Sequence, residues 1–308
     1  MVRSLRGSVR KQHDNISYTL MSLPMIVFFV LFNYAPLFGL VLAFKNFNVR
    51  DGIFGSPWIG LKNFEFFLKS QYASRITMNT LYLNFLFIVI GTAAALALAL
   101  ILKELHSRWF SRFSQSVLLF PSFISWVIVG YFSYALFNMD GGVLNTILKG
   151  VGRDPVLWYN WPEVWPLILL VAYLWKNTGY TCIIYLAGLS SINQEYYEAA
   201  EMDGCGKVRQ MFYISLPLLI PLISLMTLMS IGRIMYADFG MFYNLTRDAG
   251  PLLQTTDVMD TFIYRSLRVT GDIGMSSAAN FYQAVMGFIL VAVSNYIVRK
   301  VSPESALY

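Results

Sequence analysis

Long apolar runs dominate this sequence and restrict the folds open to it. A bilayer's hydrocarbon core is ~30 Å thick, and about 20 consecutive apolar residues cross it as a helix. Runs that reach or approach this length lie at residues 17–44, 78–102, 113–137, 164–188, 214–236 and 281–298. No strand alternation with the spacing of a barrel competes with them. The sequence therefore predicts an all-α membrane protein with about six transmembrane helices.

The composition agrees with a lipid-facing surface. Charged residues make up 13% of the 308-residue chain and hydrophobic residues 56%, whereas globular domains carry roughly 25% charged residues. Aromatic residues reach 16%, and Trp and Tyr often stand near the ends of the apolar runs, as membrane interfaces favour. The net charge of +6 resides mainly in short connections between runs, which indicates membrane orientation rather than nucleic-acid binding.

The distribution of Lys and Arg orients the chain. Their numbers are nearly equal on the two sides, but the inner segments are much shorter and so more densely basic, which predicts both termini inside. The first run is too long for a signal peptide and lacks a small-residue cleavage site; Asn33 and Pro36 predict a kink or an early exit. We expect one transmembrane domain at 17–298 between cytoplasmic tails at 1–16 and 299–308. The outer loops are expected at 45–75, 138–163 and 237–280.

A polar segment at 189–211 interrupts the apolar pattern on the inner side. Ser191 or Asn193 can cap a helix start, and Gly204 can end that helix in a left-handed conformation. Ile192, Tyr196, Ala199 and Ala200 fall on one face, and the segment 195–204 is acidic. Anionic lipids attract basic helices, so a protein partner is the better explanation for a short helix at 193–204. An ordinary solvated loop helix is the alternative.

The same segment resembles the EAA loop of ABC importer permeases. The matching pattern is Glu198-Ala199-Ala200-x-x-Asp203-Gly204, followed by Leu216-Pro217 and Pro221. Further stretches resemble the carbohydrate-uptake branch of that family, closest to permeases for oligosaccharides and polysaccharides of the alginate and aldouronate type. These stretches are Trp58-Ile59-Gly60-Leu61-Lys62-Asn63-Phe64, Asn79-Thr80-Leu81, Trp175-Lys176-Asn177-Thr178-Gly179 and Leu186-Ala187-Gly188-Leu189. The segment departs from the family at Cys205, where a small residue such as Ala is usual.

The resemblance implies a type I ABC importer permease fold in a bacterial cell membrane. It implies a coupling helix that docks on a cytoplasmic ATPase, followed by Pro217 as a rigid corner that starts the next helix. The implied partners are a second homologous permease, two ATPase subunits that use ATP and Mg, an extracytoplasmic solute-binding protein, an oligosaccharide and membrane lipid. The coupling residues it implies are Glu198, Ala199, Ala200, Asp203, Gly204 and Pro217.

The chain shows no energy-converting or catalytic motif of its own. Residues 201–208 approach a phosphate loop, but Glu201 stands at the first glycine position and Val208 where Ser or Thr should bind magnesium. No bound cofactor or metal is expected, and Cys182 and Cys205 form no Cys-x-x-Cys pair. We expect a transport subunit without enzyme chemistry. The alternatives are an importer permease for a non-sugar solute, an ATPase-independent channel, and a membrane-embedded enzyme.

Polar and aromatic residues within the spans are candidates for the solute path. A charge in mid-span, such as Lys176, is unfavourable by several kcal/mol unless it is paired or hydrated. Lys176 and Asn177 therefore lie beside a hydrated sugar path, or Lys176 bonds backbone carbonyls or a carboxylate at a helix interface. Arg233 faces an anionic solute or snorkels to the interface. Aromatic residues that stack on sugar or serve as packing are Trp126, Tyr131, Tyr173 and Tyr180.

Overall fold

The computed structural model describes residues 18–301, which form a bundle of helices. The predicted tail at 1–16 and residues 302–308 lie outside the described residues. The main helices are α1 (Tyr18–Phe44), α2 (Lys62–Lys69), α3 (Gln71–Lys103), α4 (Arg108–Leu119), α5 (Trp126–Phe137), α6 (Val143–Gly150), α7 (Trp165–Ser190), α8 (Glu195–Met202), α9 (Lys207–Ile231), α10 (Phe239–Thr246), α11 (Met259–Arg268) and α12 (Ile273–Val301). Short helices lie at Gly52–Gly55 and Leu253–Thr256.

Five of these helices are long and apolar enough to cross a membrane, namely α1, α3, α7, α9 and α12. Helices α4 and α5 pass the same test as a bent pair, which raises the number within the described residues to six. The predicted count of about six spans is confirmed. Several helices exceed their apolar runs, since α3 begins at Gln71 and α12 at Ile273. The helical hydrogen bonds of both helices thus extend several residues beyond the N-terminal end of the apolar run.

The third apolar run is not the single helix that the sequence predicts. Its two halves are bent by 92° around a short 3₁₀ turn at Phe120–Phe123. Pro121 has no backbone N–H to continue the helical ladder. Ser125 is extended, and its hydroxyl accepts a 3.4 Å hydrogen bond from the Ile128 N–H, which starts α5 as an N-cap. The run is therefore a broken span.

Helix α9 also differs from its prediction, because it begins at Lys207 and ends at Ile231 rather than covering 214–236. A π turn at Met211–Ser215 ends two residues before Pro217, and the helix passes through both. The prediction of a rigid corner at Pro217 is thus wrong. The wider turn changes the hydrogen-bond register where Pro217 lacks a donor, so no corner is needed.

Helix α1 changes geometry at the residues that predict a kink. Its central turn at Val30–Tyr34 is a π turn that contains Asn33, and the part after it, Ala35–Phe44, is a 3₁₀ helix that contains Pro36. Side chains from Tyr18 to Phe38 are exposed. The far end is fixed to the bundle, because the Asn63 amide donates 3.0 Å hydrogen bonds to the Ala43 and Lys45 carbonyls. Asn63 belongs to the Trp58–Phe64 motif.

The outer segment at 237–280 is folded and packs into the bundle rather than lying over it as a loop. Helix α10 buries Met241, Phe242 and Leu245 against Leu83 and Phe87 of α3. The next turns are held by the Asn79-Thr80 motif. The Asn79 amide donates to the carbonyls of Gln254 and Asp257, and the Thr80 hydroxyl accepts a 2.9 Å bond from the Met259 N–H. These bonds explain why amide and hydroxyl side chains stand there.

Candidate functional site: the short polar helix and the cavities

Helix α8 begins and ends through local hydrogen bonds. The Asn193 side-chain oxygen accepts a 3.2 Å bond from the Glu195 N–H, and the Ser191 hydroxyl donates back to the Gly188 carbonyl. The N-cap residue is Gln194, which makes no side-chain cap bond, so neither of the two predicted cap residues, Ser191 and Asn193, caps the helix. At the other end Gly204 has φ +75°. The N–H groups of Gly204 and Cys205 bond the carbonyls of Glu201 and Ala200 at 3.0 and 2.8 Å, which is a Schellman end. The predicted left-handed Gly204 is confirmed.

Tyr197, which the sequence analysis did not single out, anchors α8 to the bundle. It is 5% exposed, and its hydroxyl shares a 2.9 Å hydrogen bond with the Ser215 hydroxyl in α9. The Lys103 ammonium, at the end of α3, lies 3.6 Å from the centre of the Tyr197 ring. That ammonium is buried and makes no hydrogen bond within the described residues, so the ring face is its main contact. Tyr197 thus connects α8 to two spanning helices.

The opposite side of α8 is open. Glu198, Ala199, Asp203 and Gly204 are exposed, and Ala200 is half-buried. Tyr196 and Met202 stand beside them at 58% and 88% exposure. Part of the predicted apolar face, Tyr196 and Ala199, therefore points outward, whereas Ile192 packs against the bundle.

The Lys207 ammonium forms an ion pair with Glu201 at the end of α8 and lowers the pKa of that carboxyl. The Gln210 amide donates a 3.1 Å bond to the Cys205 carbonyl. Both contacts join the turn after α8 to the first turn of α9. The exposed groups of α8 are consequently presented on a fixed loop.

Lys176 lies at the break between α4 and α5 rather than in an open path. It is 8% exposed, and its ammonium donates a 2.8 Å bond to the Ser122 carbonyl and a 3.5 Å bond to that of Pro121. It also lies 5.2 Å from the Trp126 ring centre. Of the two readings of Lys176, the structure shows the one with backbone carbonyls. The sequence alone could not distinguish a hydrated path from bonds to backbone carbonyls, because it does not show that the break between α4 and α5 packs against α7.

Gly179, one turn after Lys176, allows the broken span to touch α7. A Cβ atom there would lie 1.8 Å from the Leu118 carbonyl oxygen, which is inside the contact limit. The Trp175–Gly179 motif therefore contains both residues that contact the broken span: Gly179, which allows close approach, and Lys176, which bonds its carbonyls. The motif has a structural explanation in this contact.

A polar cavity of about 570 Å³ lies between α3, α7, α9 and the start of α10. Its lining includes Asn84, Tyr173, Ser230, Arg233 and Asp238. A smaller cavity of about 50 Å³ adjoins it, sharing Tyr173 and Ser230, and contains Asn177. The Trp126 indole N–H donates a 2.5 Å bond to the Asp238 carboxylate at the rim.

The remaining path candidates lie elsewhere. Tyr131 lines a separate cavity of about 270 Å³ between α5 and α10. Tyr180 is 59% exposed and does not line the three cavities described here. The structure thus places Arg233 in the larger polar cavity, Asn177 in the smaller one beside it and Trp126 at the rim of the larger one, and it separates Tyr131 and Tyr180 from both. Among residues 18–301, no group of three or more His, Cys, Asp and Glu side chains could hold a metal ion.

The bundle and the short helix with an open polar face define a multi-pass helical membrane protein. Residues 88–303 match the family described as binding-protein-dependent transport system inner membrane component. The chain belongs to this family and is a permease subunit of an ABC importer.

The relatives cover nearly the whole chain. It is 32% identical to the polygalacturonan/rhamnogalacturonan transport system permease protein YteP of Bacillus subtilis, over 92% of this chain and 88% of that protein. It is 30% identical to a chain of a bacterial ABC transporter that imports the acidic polysaccharide alginate, with a TM-score of 0.86 over 96% and 99% of the two chains. A structure of the bacterial alginate transporter with an alginate pentasaccharide-bound periplasmic protein matches at 30% identity and a TM-score of 0.85, over 94% and 96%.

Proposed function

We propose that this chain carries an oligosaccharide or a polysaccharide fragment into the cell by alternating access. Its energy comes from ATP and Mg²⁺ used by a separate pair of ATPase subunits. The single observation that carries the proposal is helix α8, an open, rigidly anchored helix in a chain whose relatives transport polysaccharides. Glu198, Ala199, Ala200, Asp203 and Gly204 form the docking surface, within the segment 193–204. Pro217 takes part by preserving the π turn beneath it.

The geometry of Tyr197 supports a mechanical role for α8. A force on α8 reaches α9 through the Tyr197–Ser215 hydrogen bond and α3 through the Lys103–Tyr197 contact. Both spanning helices line the polar cavity of about 570 Å³. Movement of the docking helix would therefore change the walls of the cavity that Arg233 lines.

The assembly we propose contains a second homologous permease, two cytoplasmic ATPase subunits and an extracytoplasmic solute-binding protein. It lies in the bacterial cytoplasmic membrane with both termini of this chain inside. The binding protein releases the sugar onto the outer segments, and the sugar crosses between the two permeases. Within this chain the polar cavity supplies hydroxyl, amide and guanidinium groups, which suit a hydrated sugar. Lys176 serves the path by holding the broken span.

The proposal is tested by reconstituting the chain with its partner permease and ATPase and measuring ATP hydrolysis with sugar-loaded binding protein. We expect loaded binding protein to stimulate hydrolysis. Glu198→Lys and Gly204→Asp should leave the subunit inserted, weaken ATPase docking and abolish uptake. Glu163→Lys makes the same charge change at an exposed carboxylate before α7, on the opposite side of the membrane from α8, and should leave ATPase docking unchanged. Normal uptake in both docking variants would refute the coupling role of α8.

A further inference from the structure

The cavity between α5 and α10 combines aromatic, amide and cationic groups. Its volume is about 270 Å³, just below the common range for ligand pockets, so it suits one sugar ring rather than a chain. The two helices approach closely because residue 130 is glycine. A Cβ there would lie 2.8 Å from Cβ of Asn244. The lining residues are Val127, Gly130, Tyr131, Tyr243, Asn244 and Arg247.

Arg247 is the charged group of this lining, and its charge is not neutralised nearby. Within residues 18–301, no carboxylate forms an ion pair with it. Its sequence neighbour Asp248 pairs with Arg265 at 2.6 Å instead. Arg265 also bonds the buried Asp257 at 2.6 Å. Asp248 and Asp257 are thus committed to Arg265, while Arg247, which lines the cavity, has no carboxylate partner within the described residues.

The backbone at Arg247 is held in an uncommon conformation. Arg247 and Asp248 both adopt left-handed values, with φ of 55° and 51°, which is unfavourable for residues other than glycine. Two contacts hold the conformation: the Asp248–Arg265 ion pair, and the Arg247 guanidinium stacked 4.1 Å from the Tyr134 ring centre. Strained residues that the surroundings hold in place cluster at ligand sites. Here that residue is Arg247, which is also the cation in the lining of the cavity.

We propose that this cavity is a subsite for a carboxylate-bearing sugar, so that the transported solute is an acidic oligosaccharide such as a uronate. The Arg247 guanidinium binds the carboxylate through charge-assisted hydrogen bonds. Tyr131 and Tyr243 contact the sugar ring, and the Asn244 side-chain oxygen accepts from a hydroxyl, because its nitrogen already donates to the Gly240 carbonyl at 2.7 Å. Helix α10 lines this cavity and also the larger polar one, which places the subsite next to the proposed path. The inference rests on the proposed sugar-import function.

The test measures direct binding of two matched probes to the complete transporter in detergent, without binding protein. The probes are tetragalacturonate and its methyl ester, which share the rings and differ in charge. Wild type should bind the acid about tenfold more tightly, a difference of about 1.4 kcal/mol. Arg247→Asn should reduce that ratio to about one and leave ester affinity unchanged, because Asn tolerates the left-handed conformation. Tyr131→Ala should weaken both probes equally.

The control is Arg268→Gln, which removes an exposed cation at the end of α11 and should keep the tenfold ratio. Arg247→Lys keeps a point charge and should keep part of it. Equal affinity of wild type for acid and ester, or a retained preference in Arg247→Asn, would overturn the subsite. Absence of binding of either probe would overturn it too. Failure of sugar-loaded binding protein to stimulate hydrolysis is a separate result, which contradicts the import function itself.

Discussion

The Lys176 ammonium lies 2.8 Å from the carbonyl oxygen of Ser122, at the point where the third apolar run breaks and turns by 92°. The last carbonyls of a helical segment have no partner within it, and cations are favourable at such an end. Lys176 therefore supplies from α7 the donor that the broken span lacks. The bend and the charge in mid-span are two parts of one arrangement.

Replacing Lys176 by Met should destabilise the protein. The Pro121 and Ser122 carbonyls would lose a charged donor, which we expect to lower the free energy of unfolding by about 1–3 kcal/mol. The measurement is thermal unfolding of the detergent-solubilised complex, with Lys149→Met, at an exposed lysine in α6, as the control. Unchanged thermal stability combined with lost uptake would instead indicate that Lys176 contacts the solute.

Gly179→Ala should disturb the same contact from the other side. The added Cβ would lie 1.8 Å from the backbone oxygen of Leu118, and backbone moves less readily than a side chain. We expect a loss of at least about 1–3 kcal/mol, as for overpacked interiors, seen as a lower yield of monodisperse protein in size-exclusion chromatography. Gly150→Ala is the matched control, because a Cβ there would meet nothing within 4 Å. Equal yields of the two variants would contradict this contact.

Tyr197→Phe should separate the two contacts of the α8 anchor. The ring beneath Lys103 remains, while the hydrogen bond to Ser215 is lost, a change of about 0.5–1.5 kcal/mol. Tyr197→Leu removes both contacts and should have the larger effect. The readout is the number of ATP molecules hydrolysed per sugar transported, which should rise in the order wild type, Phe, Leu. An unchanged ratio in the Leu variant would show that Tyr197 does not transmit movement.

Gly204→Ala and Gly206→Ala form a matched pair in one loop. Gly204 has φ +75°, and an Ala residue there would be strained by roughly 1–2 kcal/mol. Gly206 has φ −69°, an ordinary value for Ala. At both positions the added Cβ atom would have no neighbouring atom within 4 Å, so the two variants differ only in backbone strain. We expect the Gly204 variant to lower the affinity for the ATPase subunit in a pull-down assay and the Gly206 variant to retain it. The reverse order would contradict the role of the Schellman end.

The number of spans and the left-handed end of α8 at Gly204 could be predicted from the sequence, whereas its N-cap residue, Gln194, was not among the two predicted caps. The spans follow from residue hydrophobicity and from the length of helix needed to cross a bilayer. The end of α8 follows from the freedom of glycine to adopt positive φ. The buried side of α8 could not be predicted, because Tyr196 and Tyr197 are equally aromatic. Tyr197 is inside because Ser215 and Lys103 meet it from distant parts of the chain.

The sequence by itself determined a multi-pass helical protein with one polar helix between its fourth and fifth spans. Only the tertiary structure decided which groups the charged residues Lys176 and Arg247 contact. Lys176 bonds backbone oxygens of a span some 55 residues away in sequence, while Arg247 remains unpaired within the described residues because Asp248 turns to Arg265. The physical reason is that a charge's environment depends on which helices meet. Hydrophobic periodicity places a helix in the membrane, but the packing of helices sets which groups face one another.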